Sequence, residues 1–187
     1  MLDSKEEVLI LVNKHNRQVG TERKLKVHKV GLLHRAFSIF IFNTHGQLML
    51  QQRAQGKYHS GGLWTNTCCG HPRPKEFTLA AAHRRLQEEM GFDCALRKVG
   101  TLIYRAQVSE ILSENEFDYV YVGRFDGHVQ PDPKEVQDWK WIDPSMLATL
   151  LIAQPALYTV WFKKILEQPT AQLERLKAQA LNLKIDN

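Results

Sequence analysis

Between Gly70 and Phe92 the chain carries glycines, charges and apolar residues at spacings that one amphipathic helix between two loops explains. From Phe77 to Met90, the apolar residues Leu79, Ala82, Leu86 and Met90 fall on one helical face. Thr78 reads as the N-cap, and Gly91 stands where a helix ends in a left-handed residue. Arg85 and Glu89 are four apart and so share a face one turn apart. Alone, such a pair is an ordinary surface ion pair. With Gly70, Glu76, Arg84, Glu88 and Gly91 around it, the segment gathers carboxylates and guanidinium groups in one place. That mixture suits a metal-bound diphosphate, because arginine grips phosphate oxygens bidentately.

The remainder of the chain is read as support for that segment. At 187 residues and 43% apolar, residues 1–187 suffice for one well-cored domain, with a core over about 28–165 and a C-terminal helix over about 170–184. The early apolar run Val8 to Val12 is far too short to span a membrane and has no basic leader. Three cysteines, two of them adjacent, make a poor disulfide framework and imply a reducing, cytoplasmic setting. The net charge of +5 fits an anionic ligand, and the absence of an arginine-rich run or aromatic–basic repeat speaks against nucleic acid.

Periodicity and punctuation predict the order of elements. Glu7 to Asn13 reads as a strand, and a turn over Asn16 to Gly20 leads into Thr21–Leu25. Phe37 to Asn43, the turn Asn43-Thr44-His45-Gly46 and Leu48–Arg53 read as a hairpin. Val99–Arg105 and Phe117–Phe125 form a second hairpin, and Trp139–Ile142 a short strand. Asp143-Pro144 opens a helix, Pro155 to Glu167 is helical, and Leu173, Leu176, Ala180 and Leu183 line a last amphipathic helix. Mixed strands with helices outside predict an α/β/α sandwich around a mixed sheet.

A second constellation stands outside the helix. In Glu114-Asn115-Glu116 an extended backbone points both carboxylates the same way. With His28, His34 and His71, they offer three imidazoles and two carboxylates, a donor set for Mn²⁺, Mg²⁺ or Zn²⁺. His15, His45, His59, His83 and His128 are read as structural or exposed.

The helical segment resembles the Nudix box, except that Arg84-Arg85-Leu86 stands where that pattern has arginine, glutamate and an apolar residue. More narrowly, the chain resembles the type 1 isopentenyl-diphosphate isomerases of that superfamily. The residues that carry this are the altered box, Trp64-Thr65-Asn66-Thr67-Cys68-Cys69-Gly70-His71-Pro72, Tyr104-Arg105-Ala106, Glu114-Asn115-Glu116, Trp161, His28 and His34-Arg35-Ala36-Phe37-Ser38. The resemblance implies the Nudix fold and interconversion of isopentenyl and dimethylallyl diphosphate without an organic cofactor. It implies Cys69 and Glu116 as proton carriers on opposite faces of the substrate, Tyr104 as partner of the carboxylate, and Trp161 facing a carbocation. It further implies His28, His34, His71, Glu114 and Glu116 as ligands of a protein-bound metal and Glu89 as the ligand of Mg²⁺ on the diphosphate. Lys24, Arg53, Lys57 and Arg85 become the cationic cradle for the substrate; apart from the resemblance, a monomer is the expectation.

Chemistry explains the demand for these groups. Protonating an unactivated alkene gives a tertiary cation, so the site needs an acid on one face, a base on the other and no water. A free cysteine has a pKa of about 8.5, so metal or cationic neighbours are expected to lower that of Cys69. The rival reading is a Nudix pyrophosphohydrolase. It needs a metal-activated water, and Arg85 replaces a carboxylate expected to serve it.

Overall fold

The computed structural model describes residues 7–57 and 59–183. Nine strands form one mixed sheet: β1 (Val8–Val12), β2 (Gln18–Arg23), β3 (His34–Phe42), β4 (Leu48–Arg53), β5 (Trp64–Thr65), β6 (Cys68–Gly70), β7 (Leu96–Gln107), β8 (Ser113–Arg124) and β9 (Val136–Ile142). The helices are α1 (Lys24–Val30), α2 (Thr78–Met90), α3 (Pro144–Ala153), α4 (Val160–Ile165) and α5 (Pro169–Leu181).

Strand β3 organises the sheet. Along one edge it pairs in parallel with β8 over its whole length, from His34↔Glu116 to Phe42↔Arg124. Its other edge is shared by three antiparallel partners: β1 at Leu11↔His34, β6 over Phe37 to Ile39, and β4 at Phe42↔Leu48. The expected hairpin from Phe37 to Arg53 therefore has its turn, with Gly46 at a φ of +75°, but its strands part after one pair. Strand β4 turns instead to β9 and β5. The second hairpin is longer than its apolar residues suggest, and Glu114 and Glu116 lie within β8 rather than before it.

Alternation along β3 separates two apolar layers. Phe37, Ile39 and Ile41 pack with Ala81, Ala82, Leu86 and Met90 of α2. Phe40 and Phe42 face the other way, onto Leu147 and Leu151 of α3, Trp161 and Phe162 of α4, and Leu173 and Leu176 of α5. Helices on both faces of a mixed sheet are the sandwich that the sequence predicts.

Several local expectations need correction. The Thr21–Leu25 segment is split: β2 ends at Arg23 and α1 begins at Lys24, so His28 sits on a helix. In α2, Phe77 occupies the cap position and Thr78 is already helical, with no side-chain cap. Leu79 is 42% exposed, because the buried stripe runs through Ala81, Ala82, Leu86, Glu89 and Met90. The stretch from Pro155 to Glu167 is broken into a 3-10 turn over Pro155–Leu157 and α4, because Trp64 and Tyr158 make a bridge between them. Asp143 does cap α3, its carboxylate accepting from the Ser145 amide at 2.8 Å. The last helix ends at Leu181, and residue 184 of the expected span lies outside the described residues.

Gly91 ends α2 at a φ of +76°, and an added Cβ would stand 2.2 Å from the Gln130 carbonyl oxygen. Left-handed backbone alone costs a residue with a Cβ about 1–2 kcal/mol, before any contact. Gly91→Ala is expected to lower stability by at least about 2 kcal/mol in a denaturant melt. A loss below half of that would show that the 130 loop yields freely.

Candidate active site

The same alternation that builds the two cores builds a polar patch. On β8, Glu114, Glu116 and Asp118 precede Val120 and Val122 on one face; on β3, His34 and Ser38 precede Phe40 and Phe42. One end of this sheet face is thus polar and the other apolar. Tyr104 of β7 pairs with Glu116, and Cys69 of β6 pairs with Ser38. Strand geometry also separates the adjacent cysteines: Cys68 is buried in the layer under α2, whereas Cys69 packs against the opposite layer.

The three histidines and Glu114 converge. One donor atom from each of His28, His34, His71 and Glu114 lies within 4.8 Å of the others, with all four residues buried. Glu114 Oε2 is 3.3 Å from His28 Nε2 and 3.7 Å from His34 Nε2. Glu116 Oε1 is 3.1 Å from His71 Nε2 and 3.6 Å from His34 Nε2. His34 is held from behind, its Nδ1 being 2.9 Å from the Leu32 carbonyl. That leaves its Nε2, like Glu114 Oε2, buried and without a hydrogen bond among the described residues. Buried polar atoms are normally satisfied, so this pair is what a cation between them would explain. Nitrogen and carboxylate donors suit a mid-row divalent ion, and the residues present fit one.

Burial and charge set the protonation of these groups. Burial drives His28 down to about 3, although Glu114 opposes it. Burial acts to raise Glu116, but the His34 and His71 imidazoles beside it prevail and hold its carboxyl well below the usual range. Tyr104 donates its hydroxyl proton to Glu116 Oε2.

The Cys69 thiol donates to Asn66 Oδ1 at 3.1 Å and lies 3.7 Å from Ser38 Oγ. Its pKa is raised, contrary to expectation. Burial pushes it up to about 12, with the Asp118 carboxyl adding to the effect. Asp118 is itself fully buried, accepts from Ser38 Oγ at 2.9 Å, and is pushed well above the usual carboxylate range by burial and by Glu116.

The charged face of α2 lies beside the patch. Arg85 donates to Glu88 at 2.7 Å, makes a closer contact with Glu89, and reaches Glu135 at 3.4 Å. It is tied up by carboxylates on three sides. Glu89, 5% exposed, also accepts from Gln51 Nε2 at 2.9 Å. Arg84 grips Glu76 through two bonds of 2.7 and 2.8 Å, which fixes the loop before the helix. Lys57 is bound to Glu135. Arg53 donates to the His59 carbonyl at 3.1 Å, and its guanidinium lies 5.1 Å from the Trp161 ring centre. The ring expected to face a carbocation thus already has a cation near it. Lys24 stands on the other side, paired with Glu7 at 2.8 Å.

Sequence reasoning missed three neighbours. His59, read as structural or exposed, is 3.1 Å from Glu114 Oε1 and edge-on to Trp161. Glu135 and Asp118 drew no attention at all. Strand alternation would have found Asp118, two residues beyond Glu116. Nothing local marks the other two.

The NUDIX domain family matches residues 32–163. An isopentenyl-diphosphate Delta-isomerase of Burkholderia multivorans is 55% identical over 87% of this chain and 93% of its own length. One from Serratia proteamaculans is 53% identical over 91% of this chain and 96% of its own. Among solved structures, a Deinococcus radiodurans protein shares the fold at a TM-score of 0.70 and 18% identity, covering 91% of this chain and 99% of that one. A box helix with arginine at its second charged position, a buried His/Glu cluster and this degree of identity lead to one conclusion: the chain belongs to the NUDIX family and, within it, to the isopentenyl-diphosphate Delta-isomerases.

Proposed function

We propose that this chain interconverts isopentenyl and dimethylallyl diphosphate by adding one proton and removing another, feeding isoprenoid biosynthesis. The observation that carries the reading is that a thiol, Cys69, and a carboxylate, Glu116, stand on one buried sheet face, where burial pushes the thiol up and the neighbouring imidazoles hold the carboxyl down. A double-bond shift needs one proton donor and one acceptor. The terminal alkene carbon gains a proton, positive charge develops at the tertiary carbon, and the neighbouring CH₂ gives up a proton to complete the new double bond. With the thiol protonated and the carboxylate charged, the forward step leaves thiolate and carboxylic acid. For the pair to reset, a proton leaves Glu116, with Tyr104 bound to it as the relay, and a proton returns to the Cys69 thiolate. Running the same steps backward gives the reverse reaction.

His28, His34, His71, Glu114 and Glu116 would hold Mn²⁺, Mg²⁺ or Zn²⁺, and Glu89 a Mg²⁺ carried by the diphosphate, without any organic cofactor. Bound there, the ions would supply positive charge against the paired glutamates and the phosphate oxygens. Lys24, Arg53, Lys57 and Arg85 would meet the diphosphate. Those of them that now contact Glu7, Glu135 and Glu89 would exchange carboxylate for phosphate oxygens, a like-for-like swap. Trp161 would close the apolar end, its π face worth roughly 2 kcal/mol or more against a desolvated cation. Among the described residues no helix is long and apolar enough to cross a membrane. We further propose a single-domain cytoplasmic monomer, acting on a small molecule and on neither nucleic acid nor membrane.

Proton NMR of the protein with isopentenyl diphosphate and Mg²⁺ in D₂O tests the reading. Dimethylallyl diphosphate is expected, with deuterium in a methyl group and at C2. Unchanged substrate, with metal supplied and the thiol reduced, would defeat it.

A further inference from the structure

The geometry points to His59 as a positioning residue that holds Glu114 in its place in the cluster and ties the substrate-cradle loop to it. The inference rests on the metal reading above. Glu114 divides its two oxygens. Oε2 faces His28 and His34, while Oε1 faces away from them, toward His59 Nε2 at 3.1 Å. A carboxylate with one free oxygen can rotate about its last bond; a hydrogen bond to that oxygen stops it. Groups that orient a metal ligand in this way typically matter about 10–100-fold for affinity.

His59 is built to do this. Its side chain is 8% exposed and stands edge-on to Trp161, with ring centres 5.6 Å apart. Ser60 Oγ lies 3.3 Å from Nδ1, and a hydroxyl donating there leaves Nε2 as the N–H that Glu114 accepts. The backbone is pinned as well, since the His59 carbonyl accepts from Arg53 at 3.1 Å. Its donor nitrogen meets Glu114 Oε1 and not the Oε2 that faces His28 and His34, so it acts on the ligand rather than on the ion.

Position in the chain gives the contact a second consequence. His59 lies on the connection from β4 to β5, which also carries Lys57 and follows Arg53. Anchoring His59 to Glu114 therefore sets where the cradle cations stand relative to the cluster. Trp161 joins the same assembly, touched by His59 at its edge and by Arg53 over its ring.

Two variants separate the hydrogen bond from the packing. His59→Phe keeps an aromatic edge against Trp161 and removes the N–H; His59→Gln restores a donor at similar reach without the ring. Binding of Mn²⁺ alone is followed by loss of the free-ion electron paramagnetic resonance signal, and each variant's melting temperature is recorded beside it. His59→Phe is expected to bind Mn²⁺ about 10–100-fold more weakly while melting near the wild type, and His59→Gln to stay within about threefold. Wild-type affinity in His59→Phe, or a loss in His59→Gln as large as in His59→Phe, overturns the inference and leaves the metal reading standing. Failure of the wild type to bind Mn²⁺, Mg²⁺ or Zn²⁺ removes the metal reading and this inference with it.

Discussion

Cys69→Ala and Glu116→Gln are each expected to yield a folded protein that no longer moves the double bond. Each change deletes one member of the donor–acceptor pair, and the remaining member cannot complete a proton-in, proton-out cycle. General acid–base groups typically contribute about 10²–10⁴-fold, and the loss here is expected at or beyond the top of that range. The alkene must gain one proton and lose another, and a buried site disfavours water as a substitute for either group. The cost to stability is small for the thiol. Cys69 gives up one hydrogen bond to Asn66, worth about 0.5–1.5 kcal/mol, and almost no volume. Glu116→Gln keeps an acceptor for Tyr104 but removes the charge that faces His34 and His71. The D₂O experiment reads both variants, with product formation and deuterium at C2 followed separately. Wild-type turnover in either variant would withdraw that residue's role; deuterium exchange without net isomerisation in one of them would instead assign the surviving half-step.

The elements that could be read from the sequence are those whose signal is local. α2 has a 3.6-residue apolar period and a glycine at its end, and both survive in the structure. Even there, the burial of Glu89 was hidden, because a period count treats a carboxylate as surface. The seven-residue α1 has no side-chain cap, and the residue before it ends a strand, so nothing local within Thr21–Leu25 marks where strand gives way to helix. The site divides on the same principle. Glu114 and Glu116 are two apart on a strand, and their common direction follows from that spacing alone. Cys69 is singled out in the sequence by standing directly before Gly70-His71-Pro72, and strand alternation then sends Cys68 under α2 and Cys69 to the opposite layer. Glu135 is brought to Arg85 and Lys57 by the register of β4 with β9, in which Arg53 pairs with Val136. His59 arrives through a loop. No spacing along the chain encodes either approach. The raised thiol pKa belongs here too: the residues near Cys69 in sequence suggested nothing about its burial.

Arg85→Glu brings the box to the hydrolase pattern on paper, and it is expected to release no phosphate from isopentenyl diphosphate. Its main effects are loss of substrate grip and loss of stability. In the native chain Arg85 is the shared partner of Glu88, Glu89 and Glu135, and this carboxylate neighbourhood holds its guanidinium firmly charged. Reversing its charge leaves Glu89 buried beside a new carboxylate, with Lys57 and the Gln51 amide as the remaining compensation. Breaking a buried pair by removing one partner costs about 3–5 kcal/mol, so the metal-depleted variant should melt well below the wild type. Charge-assisted hydrogen bonds to the diphosphate are worth about 1.5–3 kcal/mol each, so KM should rise roughly 10–100-fold. A fourth carboxylate can gather an added divalent ion, and excess Mg²⁺ should recover part of the lost stability. Recovery of binding is not hydrolysis, however. Attack on phosphorus needs a water aligned by a base, whereas the proposed Cys69, Tyr104 and Glu116 chemistry is at carbon, on a sheet face that Trp161 and Phe162 of α4 pack against. A phosphate-release assay run beside the melt decides the matter. Phosphate from Arg85→Glu, at a rate above that of the wild type, would show that a single arginine is what separates this isomerase scaffold from a hydrolase.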